Sequence, residues 1–183
     1  MVPYLMHFFS KVLYFSFLVS VPPLVHRYSA NPTTKTEQTF AMIKPDGVSG
    51  NYSSAVRKII LDSGFSIIRE VLVQLDEDTV KSFYAEHSER SFFPSLVQYM
   101  TSGPALAMVL EKVNAIADWR ALIGPTDSGM AKVTHPQSIR AMCGLDKQRN
   151  CVHGSDSPQS AAREISFFTT KSLTGFIPKH DEL

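Results

Sequence analysis

Alternating apolar and polar stretches divide the body of the chain into strands and helices. Apolar, β-branched runs bounded by turn residues predict strands over Thr39–Ile43, Ser66–Leu75 and Ala105–Leu110. Apolar residues at helical spacing fill the intervening segments. This spacing predicts helices over 55–61, 76–84, 92–100, 115–123, 137–142 and 157–168. Such a succession of strands and helices predicts an α/β or α+β domain in which helices cover a sheet.

Glycine, proline and capping residues mark the ends of these elements. Lys44-Pro45-Asp46-Gly47 follows the first strand and predicts a turn, and Ser63-Gly64 ends the first helix. Residues 124–136 show no apolar period and predict a long loop. Residues 31–38 are polar and predict a linker ahead of a domain that spans 39–170.

Both ends of the chain carry predicted targeting signals. Residues 1–25, within the predicted targeting segment 1–30, are very apolar, with Lys11 before the longer apolar run and Pro22-Pro23 after it. This pattern predicts a secretory signal peptide or, if it is not cleaved, a signal anchor. Residues 171–183 form a tail that ends in His180-Asp181-Glu182-Leu183, the HDEL signal for retrieval to the endoplasmic reticulum. Together the two ends predict a protein of the endoplasmic reticulum lumen, attached to the membrane only if the signal is retained.

Composition narrows the candidate partners and the redox chemistry. The chain has 183 residues and a net charge of +1, which argues against nucleic acid as a specific partner. Its two cysteines, Cys143 and Cys151, are too few for a disulfide scaffold and lack the spacing of a zinc site. A free pair, a single bridge and burial as small apolar residues all stay open. In a lumenal protein, Asn51-Tyr52-Ser53 is a glycosylation sequon beside a turn.

The segment around His153 carries the candidate chemistry. Gly154 next to the histidine allows a ligand to approach the backbone closely. Ser155, Asp156 and Ser157 can each cap the following helix, and a helix N-terminus attracts anions. An imidazole in this setting indicates phosphoryl transfer through a phosphohistidine. The alternative is a helix cap with a bystander histidine.

Four motifs in order along the chain resemble those of one family. They are the Lys44–Gly47 turn, Arg90-Ser91-Phe92-Phe93-Pro94 before a helix, Ser102-Gly103-Pro104 before a strand, and Asn150–Asp156. Together they resemble nucleoside diphosphate kinases from about Thr39 to Phe168. The resemblance implies an α+β, ferredoxin-like α/β sandwich: a four-stranded antiparallel sheet covered by helices on one face, with a cleft at its edge.

The resemblance also implies a role for each candidate residue that binds or receives phosphate. His153 matches the nucleophile, and a neutral imidazole suits that role near pH 7. Lys44, Arg120 and Arg140 match cations that bind the phosphates. Thr126 matches a hydroxyl that donates to phosphate.

Other positions match the residues that hold the nucleoside and the catalytic segment. Asn150 matches a ribose contact, and Phe92 matches the aromatic ring on which the base stacks, with Leu96 one turn further along. Tyr84 matches a tyrosine close to the nucleophile. The residues implied to support the catalytic segment are Ser155, Asp156 and Glu164.

The implied activity is transfer of the γ-phosphate of ATP or another nucleoside triphosphate to a nucleoside diphosphate by a ping-pong mechanism. Mg²⁺ is the implied cofactor, carried on the nucleotide phosphates without a direct protein ligand and contacting Asp156 through water. A homo-oligomer is the implied assembly. The alternative function is that of a catalytically weak nucleotide-binding or interaction protein of the same fold.

The chain departs from the common family pattern at several places. The loop between Thr126 and Arg140 is about three residues longer, and the tail that braces some hexamers is missing. Ala141 and Ser95 stand where glycines are usual. These differences are typical of a divergent branch of the family, although the phosphate-binding residues are all present.

Overall fold

Strand β1 (Glu37–Ile43) lies in the middle of the sheet because its residues are apolar on both sides. Every side chain from Phe40 to Ile43 is fully buried. The computed structural model describes residues 35–170, and β1 includes the last two residues of the predicted linker, Glu37 and Gln38. The predicted signal sequence, the first half of the predicted linker (31–34) and the predicted retrieval signal lie outside the described residues.

The strands form a four-stranded sheet in the order β2-β3-β1-β4, and all neighbouring strands are antiparallel. The other strands are β2 (Ser66–Gln74), β3 (Pro104–Lys112) and the short edge strand β4 (Val152–Gly154). The predicted four-stranded antiparallel sheet is therefore confirmed. Its register pairs His153 with Met42, so the candidate nucleophile lies on an edge strand beside the buried centre of the sheet.

The helices come close to the predicted spans in most places. Asp76 begins its helix as predicted, because its carboxylate accepts a hydrogen bond from the amide of Thr79 at 2.7 Å. The helices are α1 (Pro45–Ser49), α2 (Ser53–Asp62), α3 (Glu77–Phe83), α4 (Phe93–Met100), α5 (Ala115–Ile123), α6 (Ser128–Thr134), α7 (Ile139–Cys143) and α8 (Pro158–Thr170), with a 3₁₀ turn over Ala85–His87.

Helices cover both faces of the sheet, which corrects the expectation of helices on one face. Ala41 and Ile43 pack with residues of α2, α5 and α7 in one core. Phe40 and Met42 point to the other side and pack with residues of α3, α4 and α8 in a second core. Because successive side chains of a strand point to opposite faces, the unbroken apolar run in β1 requires a helical layer on each side.

The Lys44–Gly47 segment is helical, which corrects the predicted turn. Lys44 is the N-cap residue of α1 and Pro45 occupies the first helical position. Proline favours that position because its fixed φ suits a helix and its missing N–H has no partner there. The short helix turns the chain away from the sheet at the end of β1.

The predicted long loop over 124–136 also contains a helix, α6. Asp127 caps it by accepting hydrogen bonds from the amides of Gly129 and Met130. Only Ser128 and Ala131 of this helix are buried. With so few buried positions the helix has no apolar stripe, and for that reason the periodicity did not reveal it.

Cys143 and Cys151 form a disulfide, which selects one of the three alternatives left by the sequence. The bond joins the end of α7 to the residue before β4. Within residues 35–170, no helix has the length and hydropathy needed to span a membrane.

Candidate active site

The predicted site residues converge on one open cleft of about 830 Å³ at the β4 edge of the sheet. Ser155 alone among them is absent from its wall, since it lies fully buried behind His153. The cleft is lined by Lys44, Tyr84, Glu86, His87, Arg90, Phe92, Leu96, Arg120, Thr126, Arg140, Lys147, Gln148, Asn150, His153, Gly154, Asp156 and Glu164.

His153 is held by a buried carboxylate from the helix that follows it. Its Nε2 lies 3.0 Å from Oε2 of Glu164, whose side chain is 4% exposed. The same carboxylate oxygen accepts a hydrogen bond from Oγ of Ser155 at 2.8 Å. Because an ionised carboxylate can only accept, a neutral His153 must donate from Nε2. The lone pair of the ring then resides on Nδ1, the nitrogen that Glu164 leaves unbound.

Aromatic side chains and a close backbone contact fix the position of the imidazole. The rings of Phe83 and Tyr84 lie 5.6 and 6.2 Å from the His153 ring, centroid to centroid. The indole N–H of Trp119 donates to the carbonyl of His153 at 3.2 Å. A Cβ on Gly154 would lie 2.5 Å from the Trp119 ring, so a glycine is required for this packing. Burial, followed by the effect of Glu164, raises the pKa of Tyr84, which keeps its hydroxyl protonated.

Lys44 enters the cleft from the N-terminus of α1. Its Nζ donates to Oδ1 of Asn150 at 2.7 Å and to the carbonyl of Gln148 at 3.3 Å. Burial, followed by repulsion from Arg140, lowers the pKa of Lys44 to about 8. A dianionic or trianionic ligand in the cleft would oppose both effects, so the lysine is best suited to a bound polyphosphate.

Asn150 makes structural hydrogen bonds in the site in addition to the ribose contact expected from the sequence. Its side-chain amide donates to the carbonyls of Thr126 and Lys147, at 2.9 and 3.0 Å, while its Oδ1 accepts from Lys44. Both amide hydrogens are therefore used within the protein. If Asn150 contacts a ribose as predicted, it does so by accepting a hydrogen bond at Oδ1.

Arg140 and Arg120 bring two guanidinium groups to the same cleft. Arg140 is 7% exposed and donates to the carbonyls of Gly124 and Val152, at 2.8 and 3.2 Å. Burial, followed by the charge of Arg120, lowers the pKa of Arg140 to about 10. Its Nε is buried without a hydrogen-bond partner among the described residues. Two like charges kept this close indicate an anionic ligand between them.

The opposite end of the cleft is aromatic and apolar. Phe92 is 47% exposed, whereas Leu96 is buried beside it. The ring of His87 lies 5.8 Å from that of Phe92 and 6.2 Å from that of Tyr84. An exposed aromatic face at the mouth of a cationic cleft can stack on a heterocyclic base.

The carboxylate of Asp156 is the candidate contact for Mg²⁺ in the cleft. Among residues 35–170, no cluster of three or more His, Cys, Asp or Glu side chains could hold a metal ion. Asp156 is exposed on the cleft wall, and hydrogen bonds from Ser160 and then Ser157 lower its pKa. An ionised carboxylate at this point suits an outer contact to a metal whose inner ligands are phosphate oxygens.

Several lining residues were not singled out from the sequence. His87 ends the short 3₁₀ turn and Gln148 lies in an irregular segment, and neither is long enough to show a periodic pattern of inward side chains. Gln148 also links the cleft to α4, since its amide donates to the carbonyl of Ser95 at 2.9 Å. The charged residues that complete the wall are Glu86, Arg90 and Lys147.

Comparison with known proteins agrees with this geometry. The family model described as nucleoside diphosphate kinase matches residues 37–173. The chain belongs to the nucleoside diphosphate kinase family. A protein from Arabidopsis thaliana named probable nucleoside diphosphate kinase 5 is 61% identical over 144 residues, which are 78% of this chain and 100% of that protein.

Solved nucleoside diphosphate kinases share the fold. The enzyme from Aquifex aeolicus superposes with a TM-score of 0.73 at 39% identity, and the match covers 76% of this chain and 99% of the Aquifex chain. The enzyme from Halobacterium salinarum, solved in complex with CDP, has a TM-score of 0.70 at 32% identity, covering 81% of this chain and 95% of its own. Membership of the nucleoside diphosphate kinase family thus rests on the sequence and on the fold.

Proposed function

We propose that this chain transfers the terminal phosphate of a nucleoside triphosphate to a nucleoside diphosphate through a phosphohistidine at His153. The observation that carries the proposal is the orientation of the imidazole. One ring nitrogen is tied to buried Glu164 and the other is left with its lone pair, at the wall of a cleft that contains Lys44, Arg120 and Arg140.

The chemistry divides into two displacements at phosphorus. In the first, the Nδ1 lone pair of His153 attacks the γ-phosphorus, an N–P bond forms, and the bond to the bridging oxygen breaks. The nucleoside diphosphate leaves with that electron pair. In the second, a terminal oxygen of another nucleoside diphosphate attacks the same phosphorus and the N–P bond breaks, which restores the neutral histidine.

Fixed charges in the cleft support both displacements in the same way. Lys44 and Arg140 are already buried and held by backbone carbonyls, so they need little reorganisation when phosphate binds. Arg120 is exposed on the other wall. Negative charge builds up on the bridging oxygen in the first step and an electron pair returns to the histidine in the second. These cations stay in place throughout, and preorganised groups of this kind contribute most to such reactions.

We assign Mg²⁺ to the nucleotide rather than to a protein cage. Asp156 is the carboxylate placed to hold it through water. When bound, the ion would supply charge neutralisation on the phosphate oxygens. Removal of divalent cations with a chelator should therefore abolish turnover without changing the fold of the apoprotein.

The nucleoside end of the site supports broad base tolerance. Phe92 offers a π-face that any base can stack on, and Leu96 lies buried behind it. The proposed substrates are accordingly nucleoside di- and triphosphates with either purine or pyrimidine bases.

Steady-state kinetics with ATP and dTDP test the proposal on the full chain. We expect parallel reciprocal plots, as required for a ping-pong reaction, and loss of turnover by at least about a thousandfold in His153→Ala. His135→Ala is the matched control, because His135 is exposed and lies off the cleft wall. A well-folded wild-type chain that binds ADP but transfers no phosphate would instead support the alternative of a nucleotide-binding protein without activity.

The alternative function has one specific observation in its favour. In the described structure Lys44 is engaged by Asn150, and its lowered pKa of about 8 reduces its charge at mildly alkaline pH. A site that binds nucleotide while keeping this lysine away from the phosphates would turn over slowly. The kinetic experiment separates the two functions, since binding without transfer belongs only to the second.

We further propose that the chain resides in the lumen of the endoplasmic reticulum. The apolar N-terminal segment and the HDEL terminus support this, and the Cys143–Cys151 disulfide fits an oxidising compartment. Asn51 of the sequon is exposed and open to glycosylation. Microscopy of the full chain with a free C-terminus should show a reticular pattern that is lost when residues 180–183 are deleted. A cytosolic signal would contradict the proposal.

We propose that the chain self-associates, as the resemblance implied. Large apolar side chains are exposed on α2, β2 and α6: Leu61 by 54%, Ile68 by 52% and Val133 by 81%. Isolated exposed apolar residues are common, whereas several on one small domain favour an interface. Sedimentation of the full chain should give a mass above that of one subunit, and a monomer at micromolar concentration would refute the proposal.

A further inference from the structure

The disulfide lies between the two halves of the catalytic site. Cys143 ends α7, one turn after Arg140, and Cys151 stands between Asn150 and β4, which carries His153. Cys143 is 6% exposed and Cys151 is fully buried. The covalent bond therefore spans from the helix that presents a phosphate-binding arginine to the strand that presents the nucleophile.

Cys151 also anchors the turn that carries the candidate phosphate lysine. Its carbonyl accepts a hydrogen bond from the amide of Lys44 at 2.8 Å, and its own amide donates to Oδ2 of Asp46 at 2.9 Å. Its sulfur packs against Gly47 so closely that a Cβ there would lie 2.8 Å from Sγ. One residue thus contacts the segments that hold Lys44, Arg140 and His153.

The backbone at Cys151 needs support from its surroundings. Its φ is +71°, a left-handed conformation that residues with a Cβ rarely adopt. Such a conformation persists only where neighbouring contacts over-determine it. Here the contacts are the two backbone hydrogen bonds and the disulfide, and the disulfide alone reaches α7.

We propose that Cys143 and Cys151 are positioning residues for phosphoryl transfer, because their disulfide holds the Arg140 helix and the Lys44 turn at a fixed distance from His153. The inference rests on the proposed function. It extends that function by making the rate of transfer depend on the oxidation state of this pair. Neither sulfur takes part in the reaction.

Reduction by a dithiol converts the disulfide form of Cys143 and Cys151 into the form with two free thiols. Thiol–disulfide exchange transfers two electrons and two protons to the protein, which leaves two cysteine thiols, and the dithiol becomes a cyclic disulfide. Without the disulfide, the Cys151 backbone can relax. The hydrogen bond from Arg140 to the carbonyl of Val152 is then left to hold α7 to β4. Since displacements of about 1 Å can slow a positioned reaction on the order of a hundredfold, the expected effect is on the chemical step.

Pre-steady-state phosphorylation of the full chain by ATP tests this inference. We expect that reduction, confirmed by trapping two thiols, slows phosphohistidine formation by about 10- to 100-fold. The dissociation constant for ADP should rise by a smaller factor, since the candidate base contact Phe92 lies at the start of α4, which the disulfide does not join. The double variant Cys143→Ser/Cys151→Ser should be equally slow and should not respond to the dithiol. Reoxidation of the wild-type protein should restore its rate.

Ile60→Val is the control for lost stability, because Ile60 is buried in the core that also contains both cysteines but lies on α2. It should leave the phosphorylation rate unchanged. A reduced, folded protein that keeps its rate would overturn the positioning role, and so would loss of the far-UV circular dichroism on reduction, since the bond would then be a folding staple. An oxidised wild-type chain that binds ADP but is never phosphorylated would remove the proposed function and the inference with it.

Discussion

Replacing Glu164 should slow the phosphorylation of His153 in proportion to the interaction that is lost. Glu164 holds Nε2 of His153 at 3.0 Å with a side chain that is 4% exposed. A hydrogen bond to a charged group contributes about 1.5–3 kcal/mol, and every 1.4 kcal/mol is about tenfold in a rate or population. Glu164→Ala removes this preference for the reactive tautomer and orientation, so we expect a fall of about 10- to 150-fold.

Glu164→Gln should give a smaller loss. Its amide oxygen still accepts from Nε2–H, but the bond is neutral and about half as strong, so we expect a loss of about 3- to 12-fold. Glu164→Ala should also destabilise the fold by about 1–3 kcal/mol, because the buried hydroxyl of Ser155 loses its closer acceptor and keeps only the carbonyl of Phe40 at 3.5 Å. The loss of rate and the loss of stability depend on the same carboxylate oxygen of Glu164. A second variant is therefore needed to separate them.

Rapid-quench measurement of phosphohistidine formation, with thermal unfolding in parallel, is the assay. Ser155→Ala is the matched control, since it removes the hydroxyl that donates to the same oxygen of Glu164 without touching the imidazole. It should lower the midpoint of unfolding yet keep the phosphorylation rate within about threefold, well below the loss from breaking the charged hydrogen bond. Glu164→Ala with a wild-type rate would refute the reasoning that this carboxylate sets the reactive nitrogen.

Three further predictions concern other parts of the site. The pKa of Lys44 is about 8 in the folded chain and 10.5 ordinarily, so between these pH values the unfolded chain binds more protons than the folded one. The free energy of unfolding should therefore increase as the pH rises through that range. Titrated denaturation should show the gain in the wild type and not in Lys44→Met. Phe92→Ala should weaken binding of ADP and CDP alike by about 1–3 kcal/mol, measured by calorimetry, and a loss confined to one base would contradict stacking. Gly154→Ala places a Cβ 2.5 Å from the buried Trp119 ring, so unfolding measurements should show a loss of about 1–3 kcal/mol.

The sequence could predict the elements whose apolar pattern reflects burial. The β1 run and the helical spacing in α5 predicted those elements well, because in each case the core-facing positions are filled by apolar residues. The helical layer on the second face of the sheet was missed, although the unbroken burial of Phe40–Ile43 contained the signal. The helix α6 could not be found in this way, since it buries only two short side chains.

The sequence and the resemblance led us to expect the candidate site residues in one cleft, but their contacts with one another could not be predicted. The motif around His153 and the resemblance placed the phosphate and base residues in one cleft. The partners of Asn150 come from residues that are up to 106 positions away, and no local pattern encodes such a contact. The same holds for the disulfide, because two cysteines alone are compatible with either redox state.

In the proposed mechanism His153 carries the phosphate between substrates, and isolation of the phosphorylated chain is the critical test. The full chain is mixed with ATP labelled at the γ-phosphate, and the reaction is stopped in alkaline detergent. We expect a label on the wild-type protein that is lost in acid and that passes to added GDP. His153→Ala should carry no label. A label that survives acid, or that remains in His153→Ala, would contradict it.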